Sequence, residues 1–192
     1  MTAPLRRPMF RALWIASVAS NVGTWMQEVG AAWLMTSLTP SPLFVTLIQA
    51  GSSLPMFLLA IPSGAIADIV DRRRLLLVTQ TWMLVAAAAL GMLTLAGEVS
   101  PLRLLAVTFA MGLGVALNGP AWQAVISELV PRDELPAAVA LNSVGLNLAR
   151  AVGPAIGGLV VAAAGPGATS LLNAASFLGT VFVLYGWHRR PT

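Results

Sequence analysis

Residues 72–96 read RRRLLLVTQTWMLVAAAALGMLTLA, which is three arginines followed by 22 residues without a charge. A helix needs about 20 predominantly apolar residues to cross the hydrocarbon core of a bilayer. The rest of the 192-residue chain has the same character, because 57% of its residues are apolar, 9% are charged and the mean hydropathy is +0.82. Soluble domains carry about 25% charged residues. The composition therefore excludes a soluble globular domain and indicates an integral membrane protein.

Five further apolar runs flank this one, so the sequence predicts six transmembrane helices. Helices are expected rather than β-barrel strands, because the runs are longer than barrel strands and do not alternate in polarity. The predicted spans are residues 12–38, 44–67, 75–96, 104–126, 137–164 and 168–187. The expected fold class is an all-α membrane protein in which residues 1–192 form one six-helix transmembrane bundle.

The arginines predict how this bundle is oriented. The net charge is +4 and every one of the 11 Lys and Arg residues is arginine, but they do not form the aromatic-interleaved patch that indicates nucleic-acid binding. Arg103 lies on one side, Arg150 lies within a span, and the other nine lie on the opposite side. These nine are Arg6, Arg7, Arg11, Arg72, Arg73, Arg74, Arg132, Arg189 and Arg190. The positive-inside rule then predicts a multi-pass protein of the plasma (inner) membrane with both termini in the cytoplasm.

Several residue types are too scarce for other classes of function. Cysteine is absent, which excludes disulfide scaffolds and thiolate metal sites. The one histidine, His188, follows the last span, so no nucleophile has a histidine base at membrane depth. We therefore expect neither an enzyme nor a protein that holds a metal or cofactor.

The first predicted helix carries a polar stripe. Ser17, Asn21, Thr24 and Glu28 are spaced four, three and four residues apart, which places them on one helix face. A charge in the membrane usually faces a protein interior or a water-filled path. One interpretation is a hydrophilic cavity, with Glu28 as a proton carrier or cation contact and with Asn21 and Gln27 as cavity contacts. The other is an interhelical hydrogen-bond ladder with Glu28 partly hydrated.

A second charge, Arg150, lies near the middle of the fifth span, on a face that also carries Asn147. Arginine keeps its proton, so it needs a carboxylate, backbone carbonyl groups or an anionic ligand. Glu28 is the other charge within a span, which predicts a Glu28–Arg150 ion pair that is either structural or opens when substrate or a proton arrives. Asn118 and Gln123 in the fourth span are candidate cavity contacts or simple end caps.

The fifth span also contains small residues at intervals of four. They are Gly145, Ala149, Gly153 and Gly157. This spacing predicts that another helix approaches closely along that face, while Pro154 and Gly158 favour a bend in the helix.

Two motifs resemble those of the major facilitator superfamily. Residues 64–74, GAIADIVDRRR, are similar to its signature loop, with matches at Gly64, Asp68, Arg73 and Arg74. Ile69 and Asp71 depart from that pattern. The resemblance implies that this loop holds two six-helix halves together on the cytoplasmic side, whereas Gly64 by itself predicts close helix contact.

Residues 153–158, GPAIGG, resemble the Gly-Pro-x-x-Gly-Gly motif of the superfamily's proton-antiport exporters, with matches at Gly153, Pro154, Gly157 and Gly158. Residues 33–42, 53–74 and 118–158 are similar to the exporter branch that includes the enterobactin exporter. Thr108 stands where the superfamily's fourth helix has an arginine.

The resemblance implies half of a transporter, made of two three-helix repeats. The implied function is proton-coupled secondary active export of amphipathic, siderophore-like or drug-like compounds, by alternating access once a second six-helix half is paired. The implied partners are the lipid bilayer, a small-molecule substrate and that second half, either a missing C-terminal half or a second copy, and no nucleic acid. The alternatives are a non-transporting binding or regulatory half and an inactive truncated transporter.

Overall fold

The computed structural model describes residues 3–187, which form six long α-helices after a short 3₁₀ turn at Ala3–Arg6. The helices are α1 (Pro8–Leu38), α2 (Pro42–Ile69), α3 (Arg72–Leu95), α4 (Pro101–Leu129), α5 (Leu135–Ala164) and α6 (Pro166–Gly186). Each apolar run of the sequence lies within one helix to within one residue. The all-α class is thus confirmed. His188, Arg189 and Arg190 lie outside the described residues.

The helices begin where the sequence supplies start signals. All except α3 carry a proline at the first or second position, where the missing N–H group would have no partner in any case. The α3 helix begins instead with an N-cap, because Asp71 Oδ1 accepts a hydrogen bond of 2.9 Å from the Arg74 backbone N–H. Asp71 is therefore a cap, as its position suggests, and the three arginines form the first turn of α3.

Five of the six helices, α2 to α6, are long and apolar enough to cross a membrane. Among the described helices α1 does not reach that hydropathy, because its polar stripe interrupts the apolar sequence. The first span therefore stays a prediction, whereas the other five are supported by length and composition.

The helices pack in a repeating pattern. Helix α1 packs on α5 and α6, helix α4 packs in the same way on α2 and α3, and α3 packs on α6. The packing of the first three helices therefore matches that of the last three, with α1 corresponding to α4, α2 to α5 and α3 to α6. Helices α2 and α5 do not contact each other within residues 3–187.

The closest packing is between α1 and α5, along the row of small residues. A Cβ atom on Gly153 would lie 2.6 Å from Trp25 Cβ, and a Cβ atom on Gly157 would lie 2.8 Å from the Met26 carbonyl oxygen. The predicted close helix approach is confirmed. The α5 helix continues through Pro154 without a break, and a Cβ atom on Gly158 would meet nothing within 4 Å.

Candidate functional site

A cavity of about 260 Å³ with a mixed polar and apolar wall lies between the helices. All six helices contribute to its wall. The polar residues of the wall are Ser17, Ser20, Asn21, Thr24, Gln80, Asn118, Gln123 and Asn142. The larger apolar ones are Met56, Met83, Val115, Trp122, Leu146 and Phe177.

The polar stripe of α1 faces this cavity over most of its length. Ser17, Asn21 and Thr24 line the wall, and their hydrogen bonds stay within α1. The Asn21 amide donates to the Ser17 carbonyl at 2.8 Å and to its hydroxyl at 3.2 Å, and the Thr24 hydroxyl donates to the Ser20 carbonyl at 3.0 Å. The geometry therefore favours the cavity over the interhelical ladder for these three residues.

Helices α3 and α4 add an amide cluster that sequence reasoning missed on the α3 side. Asn118 Oδ1 accepts hydrogen bonds from Gln80 Nε2 at 3.1 Å and from the Thr79 hydroxyl at 3.2 Å. Asn118 is not an end cap, because α4 continues to Leu129. The signal for Gln80 and Thr79 was their polarity within an otherwise apolar run. Gln123, also predicted as a cavity contact, lies on the wall as well.

Gln27 does not line the cavity, contrary to the expectation from sequence. Its side chain is 5% exposed and lies where α1 packs against α4 and α6. Its Nε2 atom donates to the Met111 sulfur at 2.9 Å, and its Oε1 atom accepts from Asn173 Nδ2 at 2.7 Å. Gln27 shares its face of α1 with Gly23 and Gly30, which both contact α6, so it stabilises helix packing instead.

The predicted Glu28–Arg150 ion pair is absent from this structure. Within residues 3–187 the ion pairs are Arg7–Glu134 and Arg72–Glu128. The guanidinium carbon of Arg150 lies 5.1 Å from the centroid of the Trp25 ring, which is the geometry of a cation–π interaction. This contact supplies the partner that the ion pair was expected to supply.

Glu28, Asn147 and Arg150 are all exposed and lie outside the cavity wall. The Asn147 amide donates to the Ser143 carbonyl one turn earlier, at 2.9 Å. The three residues therefore belong to the surface of α1 and α5. Glu28 and Arg150 each lie one helical turn beyond a residue of the wall, Thr24 and Leu146 respectively.

Two of the three arginines at the start of α3, Arg72 and Arg73, contact neighbouring helices. Arg72 forms a 2.8 Å ion pair with Glu128 of α4. Arg73 donates to the backbone carbonyl groups of Leu184 and Tyr185, each at 3.0 Å. A cation at the C-terminal end of a helix is favoured by the helix dipole, so Arg73 stabilises the end of α6. These contacts tie the loop to α4 and α6.

The other matching residues of this loop have open surroundings. Asp68 and Arg74 are exposed, and a Cβ atom on Gly64 would meet nothing within 4 Å. The expectation that Gly64 marks close helix contact is wrong for residues 3–187. No group of three or more acidic or histidine side chains gathers as a metal site in the same part of the chain.

The sequence profile of a family described as transmembrane secretion effector matches residues 1–192. The chain belongs to this family of the major facilitator superfamily. The resemblance drawn from the two motifs is therefore confirmed. Among curated relatives, the staphyloferrin A transporter of Staphylococcus aureus is 26% identical over 172 residues, covering 89% of this chain and 43% of that protein.

Multidrug efflux pumps are also similar to the chain. Tap of Mycolicibacterium fortuitum is 27% identical over 190 residues, covering 96% of this chain and 46% of that pump. Tap of Mycobacterium tuberculosis (strain H37Rv) is 29% identical over 182 residues, covering 90% and 42% respectively. The chain spans less than half the length of these relatives. These relatives are named as a transporter and as efflux pumps, which agrees with the transport role expected from the sequence.

Proposed function

We propose that the chain is one half of a secondary transporter that exports small amphipathic molecules in exchange for protons. The observation that carries this proposal is a cavity lined by amide and hydroxyl side chains as well as apolar ones, inside a bundle made of apolar helices. Polar side chains within a membrane bundle usually mark a substrate or ion path. Membership of the transmembrane secretion effector family supports a transport role, and the siderophore and multidrug relatives support amphipathic cargo.

The proposal includes α1 as a sixth span. Helix α1 packs along α5 and α6, two helices that are apolar enough to cross the membrane. Its residues Ser17, Asn21 and Thr24 line the cavity and Gln27 is buried against α6, rather than facing lipid. Six spans put both termini on one side, and the arginine distribution makes that side the cytoplasm. Arg7, Arg72 and Arg73 do lie at the same end of the bundle.

This orientation has a direct test, because the chain contains no cysteine. A single cysteine at Ser100, between α3 and α4, should react with a membrane-impermeant maleimide on intact cells or spheroplasts. A cysteine at Asp133, between α4 and α5, should react only after the membrane is permeabilised. The opposite labelling pattern would reverse the orientation.

The proposal also includes a second six-helix half that closes the cavity. Helices α2 and α5 do not contact each other within residues 3–187, and they expose large apolar side chains, among them Phe57 at 81% and Ile61 at 87% on α2 and Leu159 at 72% on α5. In transporters built from two such halves, the substrate binds at the midplane between them and the halves rock to alternate access. Gly64 and Asp68, which are open in this chain, would then face the other half.

Proton coupling is assigned to Glu28 and Arg150. Arg150 lies over the ring of Trp25, three residues before Glu28, so a proton on Glu28 changes the electrostatic field acting on a fixed cation one helical turn beyond the cavity wall. Protonation of Glu28 can thus act on α5 through Arg150. Helix α5 is closely coupled to α1, because its residues Gly153 and Gly157 pack directly on that helix.

The experiment is efflux of a fluorescent amphipathic dye from proteoliposomes with an imposed pH gradient. We expect Glu28→Gln to abolish the dependence on the gradient, and the matched loop variant Glu98→Gln to retain it. A normal gradient response in Glu28→Gln would contradict the assignment. Dye binding without any transport by the 192-residue chain would favour a non-transporting binding or regulatory half.

A further inference from the structure

The wall of the cavity carries no ionisable side chain among the described residues. Its polar groups are neutral amides and hydroxyls, and Glu28 and Arg150 lie outside it. A charged solute that enters such a cavity loses water without gaining a counter-charge, which is strongly unfavourable. A neutral polar solute can replace its hydrogen bonds to water with bonds to the wall.

One buried atom of this wall has an unmet hydrogen-bonding need. Gln80 is 4% exposed, and its Nε2 atom donates a hydrogen bond to Asn118. Among the buried side-chain oxygen and nitrogen atoms of residues 3–187, Gln80 Oε1 is the one without a hydrogen-bond partner. Buried acceptors are normally satisfied. Gln80 Oε1 is thus a buried acceptor without a donor, on a side chain that borders the cavity.

Asn118 supplies the complementary group beside this acceptor. Its Oδ1 atom already accepts two hydrogen bonds, from Gln80 and Thr79, whereas its Nδ2 group donates none to the described residues. An amide whose oxygen already accepts hydrogen bonds from the protein can still donate its N–H groups to an oxygen of a ligand. Gln80 and Asn118 thus present one acceptor and one donor group side by side.

The remainder of the wall near this pair is apolar and adaptable. Met83 and Phe177 are buried, and both line the same cavity. Methionine side chains fill irregular spaces and make favourable contacts with aromatic rings. This surface suits an aromatic or aliphatic body attached to the polar group.

We propose that the cavity binds an uncharged amphipathic solute with a carboxamide or sulfonamide group. A shift of the Gln80 side chain brings its Oε1 atom to the N–H of the solute, and the carbonyl or sulfonyl oxygen of the solute accepts from Asn118 Nδ2. The apolar body of the solute packs on Met83 and Phe177. This assignment rests on the proposed transport function, because it names the substrate class of the same cavity.

The test uses three probes that share one fluorescent body. They are dansylamide, which is neutral, dansylglycine, which carries a carboxylate, and dansyl-ethylenediamine, which carries an ammonium group. The purified chain in lipid nanodiscs is titrated with each probe and the dansyl emission is recorded. We expect dansylamide to bind at least about tenfold more tightly than either charged probe, because neither charge finds a partner. Equal affinities, or no binding by any probe, would overturn the proposal.

Variants connect the preference to the named atoms. Gln80→Leu should weaken dansylamide binding roughly 3- to 10-fold, which is the usual range for one lost hydrogen bond. The matched control is Gln49→Leu, which removes an exposed amide of α2 that does not line the cavity and should bind as the wild type does. Asn118→Asp places a carboxylate in the wall and should shift the preference to the ammonium probe. Because that shift is a gain, impaired folding cannot mimic it, and its absence would contradict the assignment.

The two proposals fail in different ways. Transport of dansylamide that is unchanged by Gln80→Leu and Asn118→Asp would refute this binding site and leave the transport function standing. Selective binding of dansylamide without transport by proteoliposomes would refute transport and leave the binding site standing.

Discussion

Replacing Gly157 by alanine should force α1 and α5 apart. The added Cβ atom would lie 2.8 Å from the Met26 carbonyl oxygen and 3.0 Å from Met26 Cα, and ordinary contact begins at 3.4 Å. Both obstructing atoms belong to the backbone, so no side chain can rotate away. The helices must separate by about 0.6 Å, which is the difference between the observed and ordinary distances to the oxygen.

The neighbouring Gly158→Ala variant is the matched control. It adds the same methyl group to the same helix, but this Cβ atom would meet nothing within 4 Å. Alanine stabilises a helix interior by about 0.5–1 kcal/mol relative to glycine, so Gly158→Ala should be neutral or stabilising. Gly157→Ala has the same helix gain, but overpacking typically costs about 1–3 kcal/mol. The two variants should therefore differ by roughly 1–3 kcal/mol.

The assay is thermal unfolding in detergent or nanodiscs, followed by tryptophan fluorescence. For a chain of this length, 1 kcal/mol shifts Tm by roughly 2–4 °C, so Gly157→Ala should unfold several degrees below Gly158→Ala. Equal Tm values for the two variants would refute the close packing of α1 on α5 at this level.

Two predictions concern the end of the bundle where the arginines gather. Arg73→Gln should loosen the end of α6, seen as faster backbone hydrogen exchange around Leu184, because two hydrogen bonds to its carbonyl groups are lost; Arg74→Gln, at an exposed position, should not. The hydrogen bonds from Arg7 hold the pKa of Glu134 below its ordinary value of 4.5. This contribution to stability is therefore complete above that value and is lost as the pH falls through the lowered pKa. Glu134→Gln should remove this acid-dependent part of the dependence of Tm on pH, measured between about pH 3 and pH 7. The difference in Tm should be small because the pair is near the surface. A pH dependence identical to that of the wild type would contradict the prediction.

Much of the fold follows from local sequence signals. Apolar run length locates the helices, the proline and aspartate starts set their first turns, and the spacing of Gly145, Gly153 and Gly157 identifies a face that another helix contacts. These properties depend on residues within one or two turns of each other, so no knowledge of the tertiary structure is needed to predict them.

The candidate site was only partly predictable, because its residues are selected by how the helices pack. Asn21 and Gln27 are six positions apart, about 240° around a helix of 3.6 residues per turn, so they point to different neighbours. Only the location of α6 decides that Gln27 is buried. Glu28 nearly shares the direction of Asn21 but lies about 10 Å further along α1, beyond the cavity. The pairing of Gln80 with Asn118 depends on the register between α3 and α4.

The packing of the first three helices mainly on the last three has a consequence for biogenesis. Helices α1, α2 and α3 make few contacts with one another, and their main partners are α4, α5 and α6. When the first three helices leave the ribosome, the surfaces that will contact α4 to α6 are still uncovered. Contacts between distant parts of a chain form slowly, and exposed intermediates are prone to misassembly. Stable insertion of the early helices therefore depends on the insertion machinery or on lipid shielding their uncovered faces until synthesis reaches the end of α6.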